Sequence, residues 1–303
     1  MIFECLQLHA QITMQEVDSI MMSKNFKSKD VKTLSKEIGS LFEKDIHVAR
    51  AFYVYVVFNT EYDLKEHKDV FKSIWSTPEA EKFKLDQANR CIREKNGVCW
   101  DHANLFQQLC QYAGIESMLI NGTLRNSDKI PNYPHINHSW NAVKTKTGWK
   151  FIDCSIAKKE YDVEYLNAYF LVEPSRFIFN YFPMNKEDQF LTTPVDFDKF
   201  RFLNPVSSNF FVYKISEMSP ENLVKKRRSS PVQFSFLVNY QTNVNSFEIM
   251  RDGMLIQTVS LKNGKVEFSL DIENSDSVEI VVVTDDPSSR NQFVSTLLEY
   301  KIE

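Results

Sequence analysis

The chain has five cysteines in 303 residues, Cys5, Cys91, Cys99, Cys110 and Cys154, and no two are spaced as CxxC. An odd count without paired spacing indicates neither a disulfide framework nor a zinc site, and a reducing, cytoplasmic setting is the expectation. No apolar run reaches the ~18 residues of a membrane-spanning helix, so no membrane partner is expected. MIFECLQLHAQ has an acid where a secretory signal needs basic residues, and it lacks a sustained apolar core. The net charge of −4 gives no nucleic-acid footprint. What is there, 43% hydrophobic and 25% charged residues, fits a globular chain of one large or two ordinary domains.

The most informative residue is Cys99, in GVCWDHANLF. Cys99, Ala103, Phe106 and Cys110 fall at i, i+4, i+7 and i+11 with Leu105 and Leu109 beside them, the apolar stripe of a helix that begins after Gly97. Gly114, after Tyr112 and Ala113, is its expected left-handed cap. Cys99 then sits in the first turn, where the peptide dipoles favour thiolate, the form that attacks carbonyls. The backbone N–H of Cys99 precedes the helical ladder and can serve as an oxyanion donor.

Two later runs, HSWNAVK and GWKFID, alternate around the turn-like stretch Lys144 to Thr147 and read as an antiparallel hairpin. The expected register sets Val143 opposite Gly148 and His138 opposite Asp153. Trp140, Trp149 and Phe151 share that face by period two and would shield the pair from water. Asp153 would orient His138, which would act as general base and then general acid for Cys99. Taken singly, each residue has a plainer reading: a small buried hydrophobe, a strand histidine, a turn carboxylate. Their joint context and shared register favour the triad. His102, at i+3 from Cys99, could tune the thiolate, and His135 after Pro134 reads as a loop residue. His9, His47 and His67 have no metal spacing and read as structural or surface residues.

GVCWDHANLFQQLCQYAGI, HSWNAV and GWKFIDCS resemble the transglutaminase-like superfamily, with its papain-like thiol core. NAYFLVEPSRFIFNYFPMNKEDQFL resembles the segment that follows the aspartate in the kyphoscoliosis peptidase branch, which includes hillarin-like cytoskeletal proteins. LHAQITM and the lead-in ending at Tyr62 and Asp63 resemble the same branch, so the resemblance runs over residues 5–200. It implies Cys99, His138 and Asp153 as nucleophile, base and orienting acid, with no metal or organic cofactor. Some relatives have lost the cysteine; this chain keeps all three. It departs from the branch in having Tyr181 where a histidine usually precedes Phe-Pro, here Phe182-Pro183, and Phe190 near the position of a usual tryptophan. The superfamily's second oxyanion donor is often a glutamine upstream of the cysteine, and Gln87 is the candidate. Trp100 and Trp140 are expected to wall the cleft.

The implied fold is α+β: a transglutaminase-like cysteine-protease core, with the cysteine helix packed on an antiparallel sheet carrying histidine and aspartate, then a β-sandwich-like domain. The expected boundaries are a helical lead-in over residues 1–75, a catalytic core over 76–205 and the β domain over 206–303. In the lead-in, Leu34, Ile38, Leu41 and Phe42 form an amphipathic stripe. In the β domain, Asp252-Gly253 and Asn263-Gly264 between alternating runs are hairpin signals, and about seven strands suffice for a small sandwich. Lys225 to Arg228, followed by Ser229 and Ser230, reads as a solvated loop rather than a nuclear signal or phosphorylation site.

Two function classes follow. One is a thiol enzyme that forms a thioester from a protein or peptide carbonyl and passes the acyl group to water or an amine. Hydrolysis leads, cross-linking of glutamine to lysine is a subset, and deglycosylation of asparagine-linked glycans fits less well without CxxC pairs. The other is a noncatalytic adaptor, its core and β domain binding cytoskeletal or other protein partners.

Overall fold

The computed structural model describes residues 12–63, 78–125, 132–160, 163–222, 231–239, 244–273, 275–285 and 292–302. Cys5, His9, His67 and the run from Lys225 to Ser230 lie outside the described residues, as does most of LHAQITM. The chain packs as two compact units, residues 1–117 and 118–303. Among the described residues no helix is long and apolar enough to cross a membrane.

The first unit is helical: α1 (Met14–Ser23), α2 (Val31–Gly39), α3 (Asp45–Asn59), α4 (Pro78–Glu94) and α5 (Cys99–Tyr112), with a small parallel pair of β1 (Glu61–Tyr62) and β2 (Asn96–Gly97). Every residue of α3 from His47 to Val57 is buried, which is what a helix apolar on all sides requires. Its one cation, Arg50, is matched by a bidentate contact to Asp18 of α1, with both N–O distances 2.7 Å. Leu34 and Ile38 of the expected stripe are fully buried on α2, whereas Leu41 and Phe42 follow the helix end. Helix α5 packs against α2, α3 and α4. Ser35 donates to the Leu109 carbonyl and the Asn104 amide to that of Lys84, so α5 is tied to α2 and α4. The expected C-terminal cap is present: Gly114 has φ +74°, Ile115 N–H reaches Cys110 O and Gly114 N–H reaches Gln111 O.

The second unit opens with a five-stranded sheet in the order β6-β5-β4-β3-β7: β3 (Ser117–Leu124), β4 (His138–Thr145), β5 (Gly148–Ile152), β6 (Phe170–Val172) and β7 (Tyr181–Pro183). Short helices connect these strands, α6 (Cys154–Glu160) and α7 (Val163–Ala168) before β6 and α8 (Pro174–Phe177) before β7. The hairpin of β4 and β5 forms, but its register differs from the expected one. Thr145, not Val143, opposes Gly148, so the loop is only Lys146 and Thr147. A slip of two residues keeps every side chain on its expected face, because the strand period is two. It also carries Asp153 past the end of β5, so the aspartate is not a cross-strand partner of His138.

After α9 (Phe197–Phe202) and α10 (Ser208–Val212) come seven described strands: β8 (Ile215–Ser219), β9 (Val232–Val238), β10 (Val244–Arg251), β11 (Met254–Val259), β12 (Lys265–Leu270), β13 (Ser277–Asp285) and β14 (Gln292–Lys301). They make one sheet in the order β11-β10-β13-β14 and another in the order β12-β9-β8. Phe236 meets Phe247 and Phe234 meets Tyr300 edge-on between the sheets, with ring centroids 5.3 and 5.1 Å apart. The Asp252-Gly253 turn closes the β10–β11 hairpin as expected. The Asn263-Gly264 turn does not make a hairpin. Asn263 and Gly264 take positive φ and Lys262 bridges Lys265, but β12 then pairs with β9 in the other sheet. Val266, Phe268 and Leu270 alternate as buried residues of β12, while β11 is largely exposed, so burial draws the two strands apart.

Candidate active site

Cys99 is the first residue of α5, as expected, and it is buried, 4% exposed. The helix start is held by Asp101. One carboxylate oxygen accepts the N–H of Val98, the N-cap, at 3.0 Å, and the other accepts from Arg90 of α4, also at 3.0 Å. Glycine at position 97 avoids a clash, because a Cβ would lie 2.5 Å from the Asp101 Cβ. Valine has no side-chain acceptor with which to cap the helix; Asp101, inside the first turn, satisfies the Val98 N–H instead. The Cys99 amide lies upstream of the first ladder bond, His102 N–H to Val98 C=O.

The other predicted residues of this unit fall around the same helix start. Gln87 is half-buried on α4, and its carboxamide oxygen accepts from Arg90 Nε at 2.9 Å, so its NH2 end is the donor of the group. Trp100, 2% exposed, packs against Phe83 of α4 with ring centroids 6.0 Å apart. His102 is fully buried and meets the Tyr62 ring edge-on at 5.9 Å. Tyr62 and Asp63 flank this segment through backbone pairing, Tyr62 opposite Gly97 and Asp63 N–H to Gly97 O.

In the second unit the imidazole and the carboxylate meet. His138 begins β4, and its Nε2 lies 2.7 Å from Oδ2 of Asp153. Asp153, fully buried, stands between β5 and α6 and is the meeting point of four donors. Oδ1 accepts the N–H groups of Ser155 and Ile156 at the start of α6; Oδ2 accepts His138 Nε2 and the Tyr181 hydroxyl, the latter at 2.9 Å. The aspartate therefore reaches His138 as a helix cap and not as a strand partner. Burial on its own would raise this carboxyl, but the His138 charge and hydrogen bond, the Ile156 N–H and Tyr181 outweigh it and hold the pKa below the ordinary value. A carboxylate only accepts, so Nε2 carries the proton and Nδ1 is the nitrogen able to take one.

Aromatic rings enclose this pair. Trp140, fully buried, stacks near the His138 ring at 6.1 Å, and Tyr181 lies edge-on to Trp140 at 5.3 Å and stacked on Phe177 at 3.7 Å. Neither Trp100 nor Trp140 faces open solvent. Phe151 joins through Phe177 at 4.6 Å, whereas half-buried Trp149 stacks on Phe190 at the hairpin end, under Lys144. Gly122 of β3 makes the close packing possible: a Cβ there would lie 2.2 Å from the Phe182 carbonyl oxygen and 2.5 Å from the Trp140 ring. His135 is an exposed loop residue, as expected.

Three contributors escaped the sequence reading: Asp101, Arg90 and the hydroxyl of Tyr181. Asp101 had a signal, an acid in the first turn of the expected helix. Tyr181 had only its departure from the resembled branch. Among the described residues no group of three or more His, Cys, Asp or Glu side chains is arranged to hold a metal ion, and none of the four described cysteines is in a disulfide.

Part of the chain is similar to known proteins. Residues 32–154 match the family described as the transglutaminase-like superfamily. Hillarin of Drosophila melanogaster is 31% identical over 130 residues, 36% of this chain and 16% of hillarin. Human kyphoscoliosis peptidase is 22% identical over 233 residues, 70% of this chain and 34% of that protein. The Lim and transglutaminase domain protein ltd-1 of Caenorhabditis elegans is 30% identical over 132 residues, 37% of this chain and 18% of ltd-1. The chain thus matches from 16% to 34% of the length of these relatives. Over residues 32–154 the chain is similar to the transglutaminase-like superfamily, and hillarin, kyphoscoliosis peptidase and ltd-1 are among its relatives.

Proposed function

We propose that the protein is a thiol enzyme in which Cys99, His138 and Asp153 act together on a protein or peptide carbonyl. His138 takes the Cys99 proton at Nδ1, and the thiolate adds to an amide carbonyl. The Cys99 backbone N–H and the NH2 end of Gln87 hold the oxyanion. Collapse forms the thioester as the C–N bond breaks, and the imidazolium gives its proton to the departing amine. Water then adds, His138 taking its proton, and the thioester breaks to a carboxylic acid and the restored thiol. Hydrolysis is the leading reaction; an amine in place of water gives cross-linking.

The observation that carries this reading is the buried 2.7 Å contact of His138 Nε2 with Asp153, an imidazole oriented by a carboxylate. It is supported by the position of Cys99 at a helix start and by the family match across all three residues. The β-sandwich is the proposed surface for a protein partner, and the cytoplasm the proposed setting.

The test is the pH dependence of iodoacetamide labelling, site by site, in the native chain, His138→Ala and Cys99→Ala. Labelling of Cys99 well below the ordinary thiol pKa of about 8.5, slowed by His138→Ala, is the expected result. Labelling of Cys99 no faster than that of the other cysteines would favour a noncatalytic adaptor instead.

A further inference from the structure

The Asp153–His138 pair has a third member that this chemistry leaves unused. Tyr181, buried at the start of β7, donates its hydroxyl to Oδ2, the same oxygen that accepts His138 Nε2. Its ring is fixed on three sides, stacked on Phe177 at 3.7 Å, edge-on to Trp140 at 5.3 Å and 6.0 Å from the His138 ring. The other oxygen, Oδ1, is held by the Ser155 and Ile156 amides. The carboxylate cannot turn without giving up donors on both oxygens. Two donors on one oxygen also divide its charge, so a carboxylate already serving a phenol holds an imidazolium less tightly than one serving the imidazolium alone.

We propose that Tyr181 is a positioning residue of the site: by sharing Asp153 Oδ2 with His138 it fixes the carboxylate and limits how firmly the imidazolium is held, so that the imidazolium can release its proton. The inference rests on the reading of His138 and Asp153 as base and orienting acid. The titratable groups around the carboxylate are His138 from β4, Tyr181 from β7 and Cys154, its neighbour on α6, while Tyr169, just before β6, gives only its backbone carbonyl to the Asp153 N–H. Among the described residues no lysine or arginine is hydrogen-bonded to Asp153. In the proposed chemistry the Cys99 thiol is the group that His138 serves.

The experiment follows the His138 titration by NMR in the full chain carrying Cys99→Ala, which removes the thiol from the coupled equilibrium. Tyr181→Phe keeps the ring and deletes the hydroxyl; the His138 midpoint is expected to rise by about one unit as its bond to Oδ2 strengthens. A monofluorinated tyrosine at position 181 keeps ring and hydroxyl but donates more strongly, and the midpoint is expected to fall below that of the Tyr181 protein. A merely structural role, or partial unfolding, would not move the two variants in opposite directions. Midpoints that stay in place, or move the same way in both, overturn the proposal. Because Cys99 is absent, this result does not depend on acyl transfer. Ordinary labelling of Cys99 in the native chain with opposed His138 shifts would defeat the enzymatic reading while upholding the coupling of Tyr181 to His138 through Asp153.

Discussion

The thiol and the imidazole–carboxylate pair are built on different plans. Cys99 is set by one helix start, whose supports are neighbours in sequence: Gly97, the Val98 amide and Asp101, with Arg90 one helix earlier. His138 and Asp153 are set by side chains brought together from afar, 15 residues apart from each other, with Tyr181 28 residues beyond Asp153. The first plan positions a group through backbone geometry and a cap. The second does it through a buried polar network in an aromatic enclosure. A local plan tolerates the loss of one support better than a network in which each donor depends on one acceptor.

The strongest way to break this contrast is Asp153→Asn. The asparagine can still cap α6, but it turns an N–H2 toward the His138 and Tyr181 donors. The expected cost is about 3–5 kcal/mol, the usual penalty for breaking a buried charged pair, measured by urea unfolding, together with loss of fast Cys99 labelling. The pH dependence gives a sign to check. The folded pKa of Asp153 lies below its ordinary value, so its stabilisation is fully present above the unfolded value of about 3.9 and is lost as pH falls through the folded one. In Asp153→Asn that acid-side loss should shrink.

The two glycines come next, one for each plan. Gly122→Ala drives a methyl into a backbone carbonyl oxygen and the fully buried Trp140, neither of which can yield. About 3 kcal/mol is expected. Gly97→Ala meets only the Asp101 side chain, at its Cβ, and the helix start can shift. About 1–2 kcal/mol is expected, and equal costs for the two would remove the distinction drawn here. Asp101→Ala should also cost about 1–2 kcal/mol, the worth of an N-terminal cap, and should slow Cys99 labelling without altering the His138 titration.

How far the sequence disclosed these plans follows from their range. The Cys99 helix was legible from its stripe and Gly114, because both lie within one element. The faces of β4 and β5 were legible too, since period two survives a shift of two residues; the register was not, because only the turn decides it, and a loop of Lys146 and Thr147 sets Thr145 rather than Val143 opposite Gly148. The meeting of His138 and Asp153 was therefore expected by the wrong route. A cross-strand pairing was inferred, and a helix cap at the end of β5 makes the contact. Tyr181 and Arg90 left no local pattern, as their roles come from contacts that tertiary packing creates. The Asn263-Gly264 turn shows the same boundary from the other side: its dihedral angles were legible, and the partner of β12 was not.

The smallest expected effect separates capping from oxyanion support on the thiol side. Arg90 is part-exposed and touches Gln87, Glu94 and Asp101. Arg90→Met should cost about 1 kcal/mol: its pair with Glu94 is open to solvent and contributes little, and the buried Asp101 carboxylate keeps the Val98 N–H. Its chemical consequence depends on which contact matters. If Arg90 acts through Asp101, it steadies the helix start, and both iodoacetamide alkylation and acylation of Cys99 by an activated ester should slow together. If it acts through Gln87, it clamps the carboxamide oxygen and so fixes the orientation of the NH2 end. Alkylation develops no oxyanion and would be unchanged, whereas acylation would fall a few-fold, about threefold, less than the loss of an oxyanion donor itself. We expect the second pattern, because Asp101 keeps its bond to the Val98 amide when Arg90 is gone, while Gln87 loses the donor that orients it.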